Sequence, residues 1–150
     1  MQFCQEAAKS RKLISKKPVK LTRAKNIDSN VVVYAIGQAS TKAHQAAPLF
    51  LGKPTISTQV LSETANVASR RLGLSVADIR KLIVSLEAMC TVELISLPTV
   101  HVALDIRERY GFFWYDSLIV AAALVSDCEL LYSEDMQHGQ LRALHLTGVI

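Results

Sequence analysis

Phe112-Phe113-Trp114-Tyr115-Asp116-Ser117-Leu118-Ile119-Val120-Ala121-Ala122-Ala123-Leu124 is the stretch whose reading decides the fold. So apolar a run, rich in Ala and Leu, predicts a helix buried on nearly every side, because a helix facing water would show a polar stripe. Asp116 falls in its first turn and shares a face with Ile119, Val120 and Ala123. A carboxylate turned inward needs compensation: an opposite charge, hydrogen bonds, a metal ion, or the free N–H groups of a helix start.

Working outward, the segments on either side alternate between strand and helix patterns. Downstream, Glu129 to Ser133 reads as a buried strand, Asp135 lies just beyond it, and His145 to Ile150 reads as a last edge strand. Upstream, Thr99 to Tyr110 reads as a helix stopped by Gly111, and Val92 to Leu97 as a strand ending at Pro98. Ser75 opens a capping-box helix carrying Val76, Ile79, Ile83, Leu86 and Cys90 at helical spacing. Gln59 to Leu72 forms a helix after a short strand Thr55-Ile56-Ser57, with Glu63 set among Val60, Thr64 and Val67. Lys42 to Leu51 is a short helix. The organised part begins at Ile27-Asp28-Ser29-Asn30-Val31, a strand end turning into a helix capped by Ser29 or Asn30. This alternation implies an α/β domain with a mainly parallel sheet.

With 150 residues and a half-hydrophobic composition, the chain suits one globular domain. Its net charge of +4 is unevenly spread: residues 1–25 carry +7 and residues 26–150 carry −3. The leading segment is read as a basic, solvated extension, and residues 26–150 as the domain. Cys4, Cys90 and Cys128 are odd in number and far apart, which suggests neither a disulfide framework nor a zinc site. With no signal sequence and no run long enough to span a bilayer, a cytoplasmic location and no membrane contact are expected.

Asp28, Glu63, Asp116 and Asp135 each follow a strand or sit early in a helix. In parallel sheets the groups beyond the strands' carboxyl ends line the ligand crevice, so these four acids are expected at one rim. Crowded carboxylates repel and must take up protons or bind a cation. A hard divalent ion, Mg2+ or Mn2+, suits oxygen donors and keeps waters for chemistry. Metal-assisted phosphodiester hydrolysis is the reaction such a site would support.

The same residues carry a family resemblance. Asn26-Ile27-Asp28-Ser29-Asn30-Val31 resembles the opening motif of PIN-domain ribonucleases, and Ser57-Thr58-Gln59-Val60-Leu61-Ser62-Glu63 resembles their second. Trp114-Tyr115-Asp116-Ser117 with Ile119 to Ala123 is similar to the third, and Leu131-Tyr132-Ser133-Glu134-Asp135 to the fourth. The run through Gln137, His138 and Gly139 resembles the bacterial VapC-type toxin branch. The resemblance implies a PIN-like three-layer α/β/α domain and a Mg2+-dependent endoribonuclease of a toxin-antitoxin pair, dimeric and restrained by a small antitoxin. By that match Asp28 and Asp116 would be the principal metal ligands, and Glu63 and Asp135 would complete the catalytic site. Asn30 and Ser133 would orient the acids. Asp135 is preferred to Glu134 because the family's fourth acid stands two residues past the small hydroxyl residue, here Ser133. The chain departs from the family pattern before Asp28, where Ala24, Lys25 and Asn26 leave Ile27 almost alone in the first strand, and at its end.

Each acid singly has an ordinary reading. Asp28 and Asp135 suit turns, Asp116 suits a helix start, and Glu63 could pair with Arg107. The ordered set outweighs these readings. A catalytically silent module of the same fold, binding RNA or an antitoxin, is the alternative. Trp114 is read as a packing anchor, and Cys90 and Cys128 as core residues. Arg70, Arg71, Arg107 and Arg109 are candidates for an RNA-binding groove.

Overall fold

The computed structural model describes residues 24–136 and 147–149. The basic segment through Arg23, Cys4, His138 and His145 lie outside the described residues. Five strands, β1 (Lys25–Ile27), β2 (Thr55–Ser57), β3 (Thr91–Glu93), β4 (Leu130–Ser133) and β5 (Thr147–Val149), form one sheet in the order β3-β2-β1-β4-β5. Every pairing is parallel. The helices are α1 (Ser29–Ile36), α2 (Thr41–Ala46), α3 (Thr58–Arg70), α4 (Val76–Met89), α5 (Leu97–Tyr110) and α6 (Trp114–Val125).

Two apolar clusters cover the two faces of the sheet. One gathers Ala103, Ile106, Leu131 and the buried run of α6, from Leu118 to Ala121 and Ala123. The other gathers Ile27, Val31, Val32, Ile56, Val60 and Leu86. Every residue from Ser117 to Ala123 is buried, so α6 is the enclosed helix its composition demands. Its N-terminus keeps one polar commitment, the half-buried Asp116. No helix among the described residues is long and apolar enough to cross a membrane.

The chain lays down β1, β2 and β3 in one direction, then returns to the far side of β1 with β4. The order therefore reverses between β1 and β4, and a crevice opens at the carboxyl ends of strands at such a reversal. Asp28 ends β1 and Asp135 follows β4 by two residues, one on each side of it.

The structure corrects three readings. The N-cap of α1 is Asp28, which accepts from the Ser29 backbone N–H at 2.6 Å, rather than Ser29 or Asn30. The strand expected over Val92–Leu97 ends at Glu93: Ser96 caps α5, and Pro98 sits in that helix's first turn, where no backbone N–H is needed. The helix expected from Lys42 gives way at Ala47 to a 3-10 turn over Ala47–Phe50, where Pro48 has no N–H to donate.

The interrupted first strand nevertheless forms. β1 pairs with β2 and β4, and the Asp28 N–H extends the ladder to the Tyr132 carbonyl at 3.0 Å. Its cost falls on Asn26, which is fully buried and registers with Thr55 and Leu131. Neither its Nδ2 nor its Oδ1 meets a nitrogen or oxygen partner, and the Cys128 thiol beside it is only a weak one. An unsatisfied buried amide costs about 1–3 kcal/mol, and leucine nearly matches asparagine in shape. Asn26→Leu is expected to raise the urea midpoint by the equivalent of about 1 kcal/mol at unchanged slope. A lower midpoint would show that the amide is satisfied in solution.

Candidate active site

Asp28 occupies the tightest position. It is 5% exposed, its Oδ1 accepts from Ser29, and its Oδ2 accepts from the Ser133 hydroxyl at 2.6 Å. Burial pushes its carboxyl up from 3.8 to about 6, and nearby Glu63 adds to the rise, against the lowering effect of the Ser133 and Ser29 hydrogen bonds. The β4 side chain that satisfies Asp28 thus comes from the strand beside β1, across the topological reversal.

Glu63 projects from α3 toward the same place. Its Oε2 accepts from the Ser29 hydroxyl at 2.6 Å, and its Oε1 from Gln59 Nε2 at 2.7 Å. The Ser29 hydroxyl also lies 3.3 Å from Asp28 Oδ1. It has a single proton and points it at the nearer Glu63, so one small side chain links the acids of β1 and α3. Gln59 Nε2 also reaches the Tyr115 backbone carbonyl at 3.3 Å, which ties α3 to the first turn of α6.

Asp116 stands in that first turn. Burial raises its carboxyl, and the charges of Asp135 and then Glu63 raise it further. Asp135 is exposed, and its Oδ2 accepts from Asn30 Nδ2 at 3.3 Å. Glu134 has a different job: its carboxylate accepts from the Tyr34 hydroxyl and pairs with Lys42, whose ammonium lies 4.7 Å from the Tyr34 ring centroid. The neighbouring acids are thereby separated, Glu134 neutralised on α1 and α2 and Asp135 turned toward Asn30.

Hydrogen bonds and electrostatic influence therefore connect all four acids: Asp28 with Glu63, Glu63 with Asp116, and Asp116 with Asp135. Among the described residues no Lys, Arg or His forms an ion pair with any of them. Asn30 and Ser133 stand where the motifs put them, each bonded to one acid. Two contributors, Ser29 and Gln59, escaped the sequence reading. Gln59 was legible as the residue one turn before Glu63, and Ser29 was taken for a cap. Arg107 does not meet Glu63: its guanidinium donates to the Phe112 carbonyl at 3.0 Å and closes the loop before α6. Arg70 lies two turns past Glu63, about 10 Å along the helix axis.

The donor set is entirely oxygen, which fits a hard divalent cation. Asp28 and Asp116, held above their ordinary range by burial and by the charges of Glu63 and Asp135, with no ion-paired cation among the described residues, fit one as well. As the side chains stand, no three His, Cys, Asp or Glu residues among those described group closely enough to hold an ion. The oxygens of Asp28, Glu63 and Asp135 are turned instead to Ser29, Ser133, Gln59 and Asn30.

The family model for the PIN domain matches residues 26–143. A search of curated proteins finds no match. Among solved structures, the chain is similar to one from a toxin-antitoxin complex of Klebsiella pneumoniae, with 16% identity and a TM-score of 0.64 over 83% of this chain and 96% of that one. It is also similar to VapC20 of Mycobacterium tuberculosis, a Sarcin-Ricin loop cleaving toxin, with 18% identity and a TM-score of 0.61 over 80% of this chain and 95% of that one. At these identities the likeness shows the fold.

Proposed function

Because this chain belongs to the PIN domain family, we propose that it is a Mg2+-dependent endoribonuclease, the toxin of a toxin-antitoxin pair, acting in the cytoplasm as a homodimer and restrained by a small antitoxin. One observation carries the reading: Asp28, buried and raised to about 6, meets Glu63 through Ser29 at the sheet's reversal, while Asp116 is raised by Asp135 and Glu63. The two neighbours, a chain of a toxin-antitoxin complex and an RNA-cleaving toxin, support the same direction.

Asp28 and Asp116 would hold the ion, Mg2+ or Mn2+, through their carboxylate oxygens. When bound, it supplies charge neutralisation at the phosphate and a more acidic water. Glu63 and Asp135 would complete the acidic site and orient water there. Ser133 fixes the Asp28 plane, Ser29 and Gln59 fix Glu63, and Asn30 fixes Asp135, so these three acids are positioned before substrate arrives.

Purified full-length chain incubated with single-stranded and structured RNA is expected to cleave with Mg2+ or Mn2+, stop in EDTA, and resume when the ion is restored. Cleavage that persists in EDTA would remove the metal from the proposal. RNA or antitoxin binding without cleavage under any divalent ion would favour the silent module, a reading motivated by Asp28 and Glu63 already bonded to serine and amide partners.

A further inference from the structure

The start of α6 presents three consecutive aromatic side chains with opposite fates. Trp114 is partly buried and packs against the apolar cluster under α6. Phe113 and Tyr115, on either side of it, are 80% and 63% exposed. They are the only aromatic residues among the large exposed hydrophobic side chains of the described residues. Both lie within three residues of Asp116. Phe113 is the N-cap and Asp116 the third helical residue, so the two share the edge of the first turn. The backbone here is well held: Ser117 N–H and Oγ both donate to the Phe113 carbonyl at 2.9 Å, and Gln59 joins the Tyr115 carbonyl to Glu63.

The geometry points to a stacking ledge in two parts, Phe113 on one flank of Asp116 and Tyr115 on the other, for unpaired RNA bases next to the phosphate held at the acidic cluster. This inference rests on the nuclease reading for the position of that phosphate. Along a nucleic-acid strand, the neighbour of a phosphate is a sugar carrying a flat base, and exposed aromatic rings take any base by its π face. In a duplex the bases remain stacked on one another, so the ledge selects single-stranded or loop RNA. The nearest fixed cation among the described residues is the Arg107 guanidinium on the Phe112 carbonyl, so the test must separate stacking from phosphate charge.

The test uses the full-length chain with Ca2+ as the divalent ion and fluorescence anisotropy as readout. Two probes are compared: a short mixed-sequence single-stranded RNA, and an abasic ribose-phosphate strand of the same length, which keeps the charge and removes the bases. Wild type is expected to bind the RNA about tenfold tighter than the abasic strand. The double variant Phe113→Ala/Tyr115→Ala should lose that advantage and bind the abasic strand unchanged, while Phe113→Tyr/Tyr115→Phe keeps it. Melting curves would verify that both variants are folded.

The ledge is overturned if the alanine variant binds RNA as wild type does, if it weakens equally on both strands, or if wild type binds neither. Unchanged RNA binding with lost antitoxin binding or self-association would make the rings a protein-docking surface, which also overturns it. The outcome separates from the nuclease reading: base-dependent binding without cleavage leaves the ledge standing and removes the enzyme. Cleavage that is indifferent to both rings does the reverse.

Discussion

Asp28→Asn is expected to abolish RNA cleavage and, in the same protein, to raise thermal stability at neutral pH. The first effect follows from losing a charged oxygen donor at the proposed metal site. The second follows from burial. Asp28 has a folded value near 6 against an ordinary 3.8, so the folded chain binds its proton more tightly than the unfolded chain does. The associated stability is fully present below 3.8 and is lost as pH rises to about 6. A shift of that size corresponds to about 3 kcal/mol of burdened stability for the metal-free protein at neutral pH. Asparagine carries no charge at any of these pH values and is as good an N-cap, accepting from the Ser29 N–H. The Ser133 hydroxyl can turn to accept from the new amide, since a hydroxyl serves either role. Melting in EDTA should therefore place the variant above wild type by about 5 °C or more at neutral pH, with the gap closing below the usual carboxylate range. A variant that melts below wild type at neutral pH, or differs from it by the same amount at every pH, would show that Asp28 is not strained by its charge.

Asp116→Asn is expected to lower cleavage by roughly a hundredfold or more, through weakened cation binding. Fold and stability should change little. The residue is half-buried, its helix is held by the buried run behind it, and the substitution removes repulsion from Asp135 and Glu63. Added Mg2+ should raise the melting temperature of wild type by mass action and leave that of the variant nearly unmoved. Equal Mg2+ responses in the two proteins would place the ion elsewhere, and full cleavage by the variant would take Asp116 out of the chemistry altogether.

These two expectations treat differently two residues that look alike in the sequence. Both are aspartates next to strand or helix starts, and both were readable as ordinary caps. What distinguishes them is burial: the strand around Asp28 is central and flanked on both sides, whereas Asp116 opens a helix at the rim. Similarly, Glu134 and Asp135 are adjacent and equally acidic, and only packing decides between them. Tyr34 from α1 and Lys42 from α2 converge on Glu134 and neutralise it, which leaves Asp135 with Asn30. No local pattern announces that pairing, because its members are about a hundred residues apart.

Periodicity in the chain was enough to establish the parallel α/β architecture, the buried helix around residues 117–123, and the placement of Asp28, Glu63, Asp116 and Asp135 after strands or in early helix turns. Those are local properties: burial of apolar residues follows the period of the element, and the element begins where capping groups allow. Tertiary structure alone decided that Ser29 joins Asp28 to Glu63, that Ser133 reaches Asp28 across the sheet, that Arg107 serves a loop instead of Glu63, and that Asn26 is buried with nothing stronger than the Cys128 thiol beside it. Hydrogen bonds between distant segments depend on register and on crossing geometry, which side-chain type and spacing do not encode one segment at a time.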